Sequence, residues 1–137
     1  MSIIMNKFFD KLGDWTVPAG RVLIALIFVT AGYSKIGGYE ATQGYMSAMG
    51  VPGGLLPLVI ALELGGGILL ILGLFTRYLA LALAGFCVLS AVLFHGNIAD
   101  STQQIMFLKN LAIAGGFLFL AANGAGKFSL DHRLGWA

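Results

Sequence analysis

Charged residues and cysteines are scarce in this sequence of 137 residues. Charged side chains make up 10% of the chain, against roughly 25% in soluble proteins, while apolar residues make up 58%. The net charge of +2 and the lack of a basic run argue against a nucleic-acid partner. The single cysteine, Cys87, excludes an internal disulfide, a Cys-based zinc site and an iron–sulfur cluster held by one chain. We therefore expect a membrane protein without a metal site.

Four long apolar windows run through the sequence, at residues 17–36, 55–75, 78–95 and 104–122. Each is close to the ~20 residues that an α-helix needs to cross a bilayer. Pro18 lies where a helix often begins, and the first window is too long for a signal peptide, so we interpret it as a retained span. Short breaks between the windows favour antiparallel neighbours. The sequence therefore predicts an all-α membrane protein, a single domain over residues 1–137 folded as a four-helix transmembrane bundle.

The first connection and the loop charges add detail to this bundle. In residues 39–50, Tyr45, Met46 and Met49 recur at helical spacing, which predicts a short interfacial helix, with an irregular polar loop as the alternative. The Lys and Arg residues outside the windows fall on one side: Lys7, Lys11, Arg77, Lys127 and Arg133. Because positively charged loops stay in the cytoplasm, both termini are predicted to be cytoplasmic in a multi-pass protein of the cytoplasmic membrane.

Ionisable residues inside the windows are the candidates for function, because charges in a bilayer core are costly and usually face the bundle interior or pair. They are Arg21, Lys35, Glu63, His95 and Lys109, and Asn110 adds a neutral polar group. All except Arg21 are predicted to lie in the outer half of the bundle. Arg21 lies near the inner end of its span, where we expect its side chain to reach the headgroups.

Glu63 is the strongest single candidate, because a lone carboxylate there must be protonated or paired. Lys35 and Lys109 are both available partners. The following Gly65, Gly66 and Gly67 remove side-chain bulk, so that a helix or a flat ligand can approach. The alternative is that a Glu–Lys pair and a buried His95 only fix which helices pack together.

The sequence resembles the DoxX family of small bacterial inner-membrane proteins along nearly its whole length. The residues that carry the resemblance include Arg21, Ala31-Gly32, Lys35, Tyr45-Met46, Glu63-x-Gly65-Gly66-Gly67, Thr76-Arg77, His95, Lys109-Asn110 and Ser129-x-Asp131. The resemblance implies a four-helix bundle of the bacterial inner membrane. It also implies a redox-associated role, because members of the family are described as quinol oxidase subunits or as partners of stress-defence enzymes.

Three functions are compatible with these residues. The resemblance favours a subunit of a quinone-linked oxidoreductase, with Glu63 and His95 relaying protons and with Lys35, Glu63, His95, Lys109 and Asn110 binding the ligand. The alternatives are a non-enzymatic scaffold for envelope or stress-defence proteins and a module that binds or transports a small anion or lipid. The residues expected to be structural are Arg21, Gly32, Gly65, Gly66, Gly67 and Arg77. No cofactor is identifiable in the sequence, a quinone is the expected ligand, and the expected partners are membrane lipids together with a redox partner protein or a second copy of the chain.

Overall fold

Helices account for most of the computed structural model, which describes residues 2–136. We number them α1 (Ile3–Gly37), α2 (Tyr39–Ala48), α3 (Gly53–Leu72), α4 (Thr76–Phe94), α5 (Ser101–Asn123) and α6 (Leu130–Arg133). Four of them, α1, α3, α4 and α5, are long and apolar enough to cross a membrane. The predicted all-α fold with four spans is therefore confirmed, while the cytoplasmic location of the termini stays a prediction.

The first helix begins at Ile3 rather than at Pro18, where the sequence predicted its start. Its 35 residues give it a length of ~52 Å at 1.5 Å per residue, well beyond the ~30 Å hydrocarbon layer. Ser2 caps it by accepting a hydrogen bond from the Met5 backbone N–H. Pro18 lies inside the helix, where a proline removes one backbone hydrogen bond without ending this helix. The prediction was wrong because residues 3–16 carry too many polar side chains to resemble a span.

The short helix predicted in the first connection is present as α2, and its location at the membrane interface stays a prediction. Met46 on α2 is buried, and the Tyr45 ring stacks on Phe94 at the end of α4, with 5.4 Å between ring centroids. The Gln43 side-chain amide donates a hydrogen bond of 3.2 Å to the Gly53 carbonyl at the start of α3. These contacts hold α2 across one end of the bundle, which we call the α2 end.

One turn of α3 departs from α-helical geometry. Residues Ala61–Gly65 form a π-helical turn between the α-helical segments Leu56–Ile60 and Gly66–Leu72. Such a turn holds one extra residue and changes the direction of the side chains on it, and it often occurs at functional sites. Glu63 is the central residue of this turn and is buried.

The spanning helices pack as two pairs, α1 with α3 and α4 with α5. In the first pair the backbones come so close at Gly32 that a Cβ atom added there would lie 2.7 Å from the Leu64 backbone nitrogen. Between the pairs, the rings of Phe28 on α1 and Phe117 on α5 meet with 5.4 Å between centroids. Both rings are buried and belong to the hydrophobic core.

The opposite end of the bundle, which we call the tail end, is closed by the segment after α5. Arg21 is buried there, and its Nη1 atom donates hydrogen bonds of 3.0 Å to the Leu70 and Ile71 carbonyls at the end of α3. Its Nη2 atom donates to the Phe128 carbonyl in the tail. The prediction that Arg21 reaches the headgroups is therefore wrong, because carbonyls left free at a helix end bind its guanidinium inside the protein.

Asp131 fastens the tail to the start of α4. Its Oδ1 atom accepts a hydrogen bond from the Phe75 N–H at 2.8 Å, and its Oδ2 atom accepts one from the Thr76 N–H at 2.9 Å. The Asp131 N–H in turn donates to the Gly73 carbonyl. A carboxylate at a helix N-terminus satisfies free N–H groups and interacts favourably with the helix dipole. The tail thus links α1, α3 and α4 at this end.

Candidate functional site

A cavity of about 330 Å³ lies inside the half of the bundle nearer the α2 end. All four spanning helices and α2 contribute to its wall, which is mainly apolar. The apolar lining residues are Ile27, Phe28, Ala31, Met46, Val59, Phe86, Phe94, Met106 and Ile113. The polar lining residues are Lys35, Thr42, Tyr45, Glu63, Cys87, Ser90, His95 and Asn110. An apolar pocket with a few converging polar groups is typical of a site for a small organic ligand.

An ion pair between α1 and α3 forms part of the cavity wall. The Lys35 Nζ atom lies 2.8 Å from the Glu63 Oε1 atom, with the Lys35 side chain 29% exposed and the Glu63 side chain 5% exposed. Lys35 is in the last turn of α1, and the π-helical turn of α3 carries Glu63. The close contact with the Lys35 ammonium compensates the burial of the Glu63 carboxylate.

Two further polar side chains reach the cavity from α4 and α5. His95 ends α4, and its Nδ1 atom lies 2.7 Å from the Gln103 Oε1 atom on α5. Asn110 lines the cavity from α5, seven residues after Gln103, and is partly buried. Four of the five predicted ligand-binding residues, Lys35, Glu63, His95 and Asn110, therefore line one cavity from four different helices, and their role in binding a ligand stays a prediction.

Lys109 is the predicted ligand-binding residue that does not reach the cavity. It is exposed on the outer surface of α5, whereas its neighbour Asn110 faces inward. Consecutive helical residues point about 100° apart, and with Asn110 turned inward the Lys109 side chain points to the outer surface. The expectation that Lys109 faces the interior and competes for Glu63 is corrected, and Lys35 is the cation beside Glu63.

The glycines predicted to be structural differ in what surrounds them. A Cβ atom on Gly67 would lie 2.7 Å from the Val29 Cγ2 atom, so α1 and α3 touch there. Gly66 would make only ordinary contact with Leu79, and Gly65 would meet nothing within 4 Å. Of the three, only Gly67 is needed for the close approach of a helix. None of the three lines the cavity.

Several residues that shape the site were not identified from the sequence as part of it. Met46 and Tyr45 close the cavity from α2, and Cys87 and Ser90 line it from α4. Helical spacing identified α2 as a helix, but not the surface on which it rests. Cys87 and Ser90 lie one turn apart on α4, a spacing that could have placed these two side chains together.

Comparison with known proteins identifies the family. The model of the DoxX family matches residues 17–96. The chain belongs to the DoxX family. It is 53% identical over 124 residues to the inner membrane protein YqjF of Escherichia coli (strain K12), which covers 90% of this chain and 95% of YqjF. It is 39% identical over 121 residues to the inner membrane protein YphA of the same strain, covering 82% of this chain and 86% of YphA.

A more distant DoxX relative carries a name that refers to chemistry. The protein named "Putative oxidoreductase CatD", from Bacillus subtilis (strain 168), is 35% identical over 80 residues, covering 58% of this chain and 57% of CatD. No solved structure matches the chain. The names of the two Escherichia coli relatives and the four apolar helices establish this DoxX protein as a multi-pass protein of the inner membrane.

Proposed function

We propose that this DoxX protein binds the head of a quinone or quinol in the cavity beneath α2, as the membrane subunit of a redox system. The observation that carries the proposal is the Lys35–Glu63 ion pair in the wall of a mainly apolar cavity inside the membrane-spanning region. Quinones dissolve in the bilayer and offer a flat apolar ring with oxygen atoms at its edge. The name of the relative CatD refers to an oxidoreductase, which supports the proposal of a redox role.

The lining residues match the chemistry of such a ligand. The Lys35 ammonium and the Asn110 amide can donate hydrogen bonds to ring oxygens. Phe28, Phe86 and Phe94 offer aromatic surface for the ring. A quinol supplies two electrons and two protons when it is oxidised, so the protein needs a proton acceptor and a partner redox protein that takes the electrons.

Glu63 and His95 are the proton-handling groups of this proposal. Glu63 is buried with its carboxylate on the cavity wall, where it can accept a proton from a bound ligand. His95 lines the same cavity at the end of α4, closer to the membrane surface, and its imidazole nitrogens can accept or donate a proton. The Gln103 side chain holds the His95 ring in place.

The placement of Lys109 weakens the alternative of a small-anion site. That alternative depended on two lysines and a histidine facing one glutamate. With Lys109 on the outer surface, the cavity holds one lysine paired with one glutamate, and a neutral ligand fits this balance better.

Calorimetric titration of the detergent-purified protein with a short-chain ubiquinone tests the proposal. Saturable binding is expected for the wild type. Glu63→Gln keeps the side-chain size but removes the charge that holds Lys35 in place, and affinity should fall roughly tenfold, because hydrogen bonds involving charged groups contribute about 1.5–3 kcal/mol. Glu40→Gln, on an exposed residue of α2, is the matched control and should bind like the wild type. Absence of saturable binding, or equal binding by Glu63→Gln, would contradict the proposal.

A further inference from the structure

A second concave surface lies at the tail end, on the opposite side of the molecule from the cavity beneath α2. This groove, of about 630 Å³, runs between the start of α4, the end of α5 and the C-terminal tail. Its lining includes Arg77 and Asp131, the aromatic rings of Phe75, Tyr78 and Trp136, and the apolar side chains of Leu81 and Ala121. The proposed quinone site uses none of them.

Arg77 supplies the available charge of the groove. Its side chain is exposed, and its Nη1 atom donates one hydrogen bond, 3.3 Å long, to the Ala122 carbonyl. A guanidinium has five N–H donors in a planar fork that suits phosphate. Asp131 also lines the groove, but its oxygens already accept the N–H groups of Phe75 and Thr76. Among residues 2–136, Ala122 is the one hydrogen-bond partner of the Arg77 side chain, so most of the Arg77 donors remain free for an anion.

The remaining walls of the groove suit a lipid rather than a soluble anion. The Phe75 and Trp136 rings stack with 5.3 Å between centroids, and Tyr78 is 79% exposed beside them. Aromatic residues of this kind collect at the headgroup level of membranes. Farther along the spans, Leu81 and Ala121 form an apolar strip in the direction that an acyl chain takes.

We infer that this groove binds an anionic phospholipid, with Arg77 at the phosphate and with an acyl chain along Leu81 and Ala121. The occupant is a lipid and not free phosphate, because the apolar strip continues from the polar pocket into the membrane. An anionic headgroup is preferred over phosphatidylethanolamine, because the ammonium group of the latter cancels the charge that Arg77 attracts.

Native mass spectrometry of the detergent-purified protein tests this inference, with dioleoylphosphatidylglycerol as the added lipid. The wild type should bind it more tightly than dioleoylphosphatidylethanolamine. Arg77→Gln should weaken binding about fivefold, since one basic residue near a membrane surface contributes roughly 1 kcal/mol toward anionic lipid. Arg133→Gln, on an exposed arginine of α6, is the matched control and should bind like the wild type.

Three results would overturn the inference: equal binding by Arg77→Gln, an equal loss in Arg133→Gln, or displacement of the lipid by inorganic phosphate. A second variant, Ala121→Phe, fills the groove and leaves Arg77 in place. It should also lose the phosphatidylglycerol, and unchanged binding by this variant would contradict the inference even if Arg77→Gln folds poorly. Circular dichroism reports whether each variant is folded.

Discussion

Lys35 and Glu63 can serve two roles at once, because their ion pair both joins α1 to α3 and lines the cavity. An ion pair of this kind is replaceable by apolar residues where it only holds helices together. It is not replaceable where a ligand needs one of its charges. The two roles can be separated by removing one partner and then both.

Lys35→Met should destabilise the protein by about 1–3 kcal/mol, because it leaves a buried carboxylate without its cation. The double variant, Lys35→Met with Glu63→Leu, should regain most of that loss but fail to bind the quinone. Thermal unfolding in detergent, followed by circular dichroism, measures the stability of both variants. A double variant that binds the quinone normally would show that the pair is only structural.

At the scale of the element, the contact between α1 and α3 depends on small residues at defined positions. Gly32 faces Leu64, and Gly67 faces Val29, in both cases with backbone atoms close by. Close approach of this kind is common between helices in membranes, where backbones pack over small residues. The contact brings the π-helical turn of α3 against the last third of α1, which is how Glu63 comes to face Lys35.

Gly67→Ala should lower the stability by about 1–3 kcal/mol, because the added methyl overlaps Val29 and overpacks the contact. Gly65→Ala is the matched control two residues away: its backbone is helical and nothing lies within 4 Å, so it should be neutral or stabilising. The midpoint of thermal unfolding in the same detergent compares them. Equal effects of the two substitutions would show that the close approach at Gly67 contributes nothing.

Local pattern explains which elements could be predicted from the sequence. Apolar length alone was sufficient for the four spans, and helical spacing was sufficient for α2. The π-helical turn and the capping of α4 by Asp131 were not predictable in this way. Asp131 lies 55 residues along the chain from Thr76, and only the folded tail brings the two together. The inward position of Asn110 rather than Lys109 likewise follows from how α5 is rotated in the bundle.

At the scale of the whole molecule, the orientation in the membrane is the prediction with the widest consequences. The charge distribution predicts that the tail end faces the cytoplasm. The cavity beneath α2 would then lie near the outer surface of the inner membrane, and the lipid groove near the inner surface.

Labelling of single cysteines tests the orientation in a Cys87→Ser background. Glu40→Cys on α2 and Ser2→Cys before α1 place thiols at opposite ends of the bundle, and both positions are exposed. A membrane-impermeant maleimide should label Glu40→Cys in intact spheroplasts and Ser2→Cys only after lysis. The reverse pattern would place the cavity on the cytoplasmic side.

The groups that bind Arg21 and Lys35 on α1 lie far apart along the chain, so they are synthesised at different times. Arg21 binds carbonyls that lie 49 and 50 residues later, and a third one 107 residues later, while the partner of Lys35 is on α3. Synthesis proceeds from the N-terminus, so the first helix leaves the ribosome with both cations unsatisfied. Lys35 is neutralised when the second span emerges, but Arg21 acquires its last acceptor only when the tail is translated. The segment that carries Phe128 therefore completes the hydrogen bonding of Arg21 in the first helix.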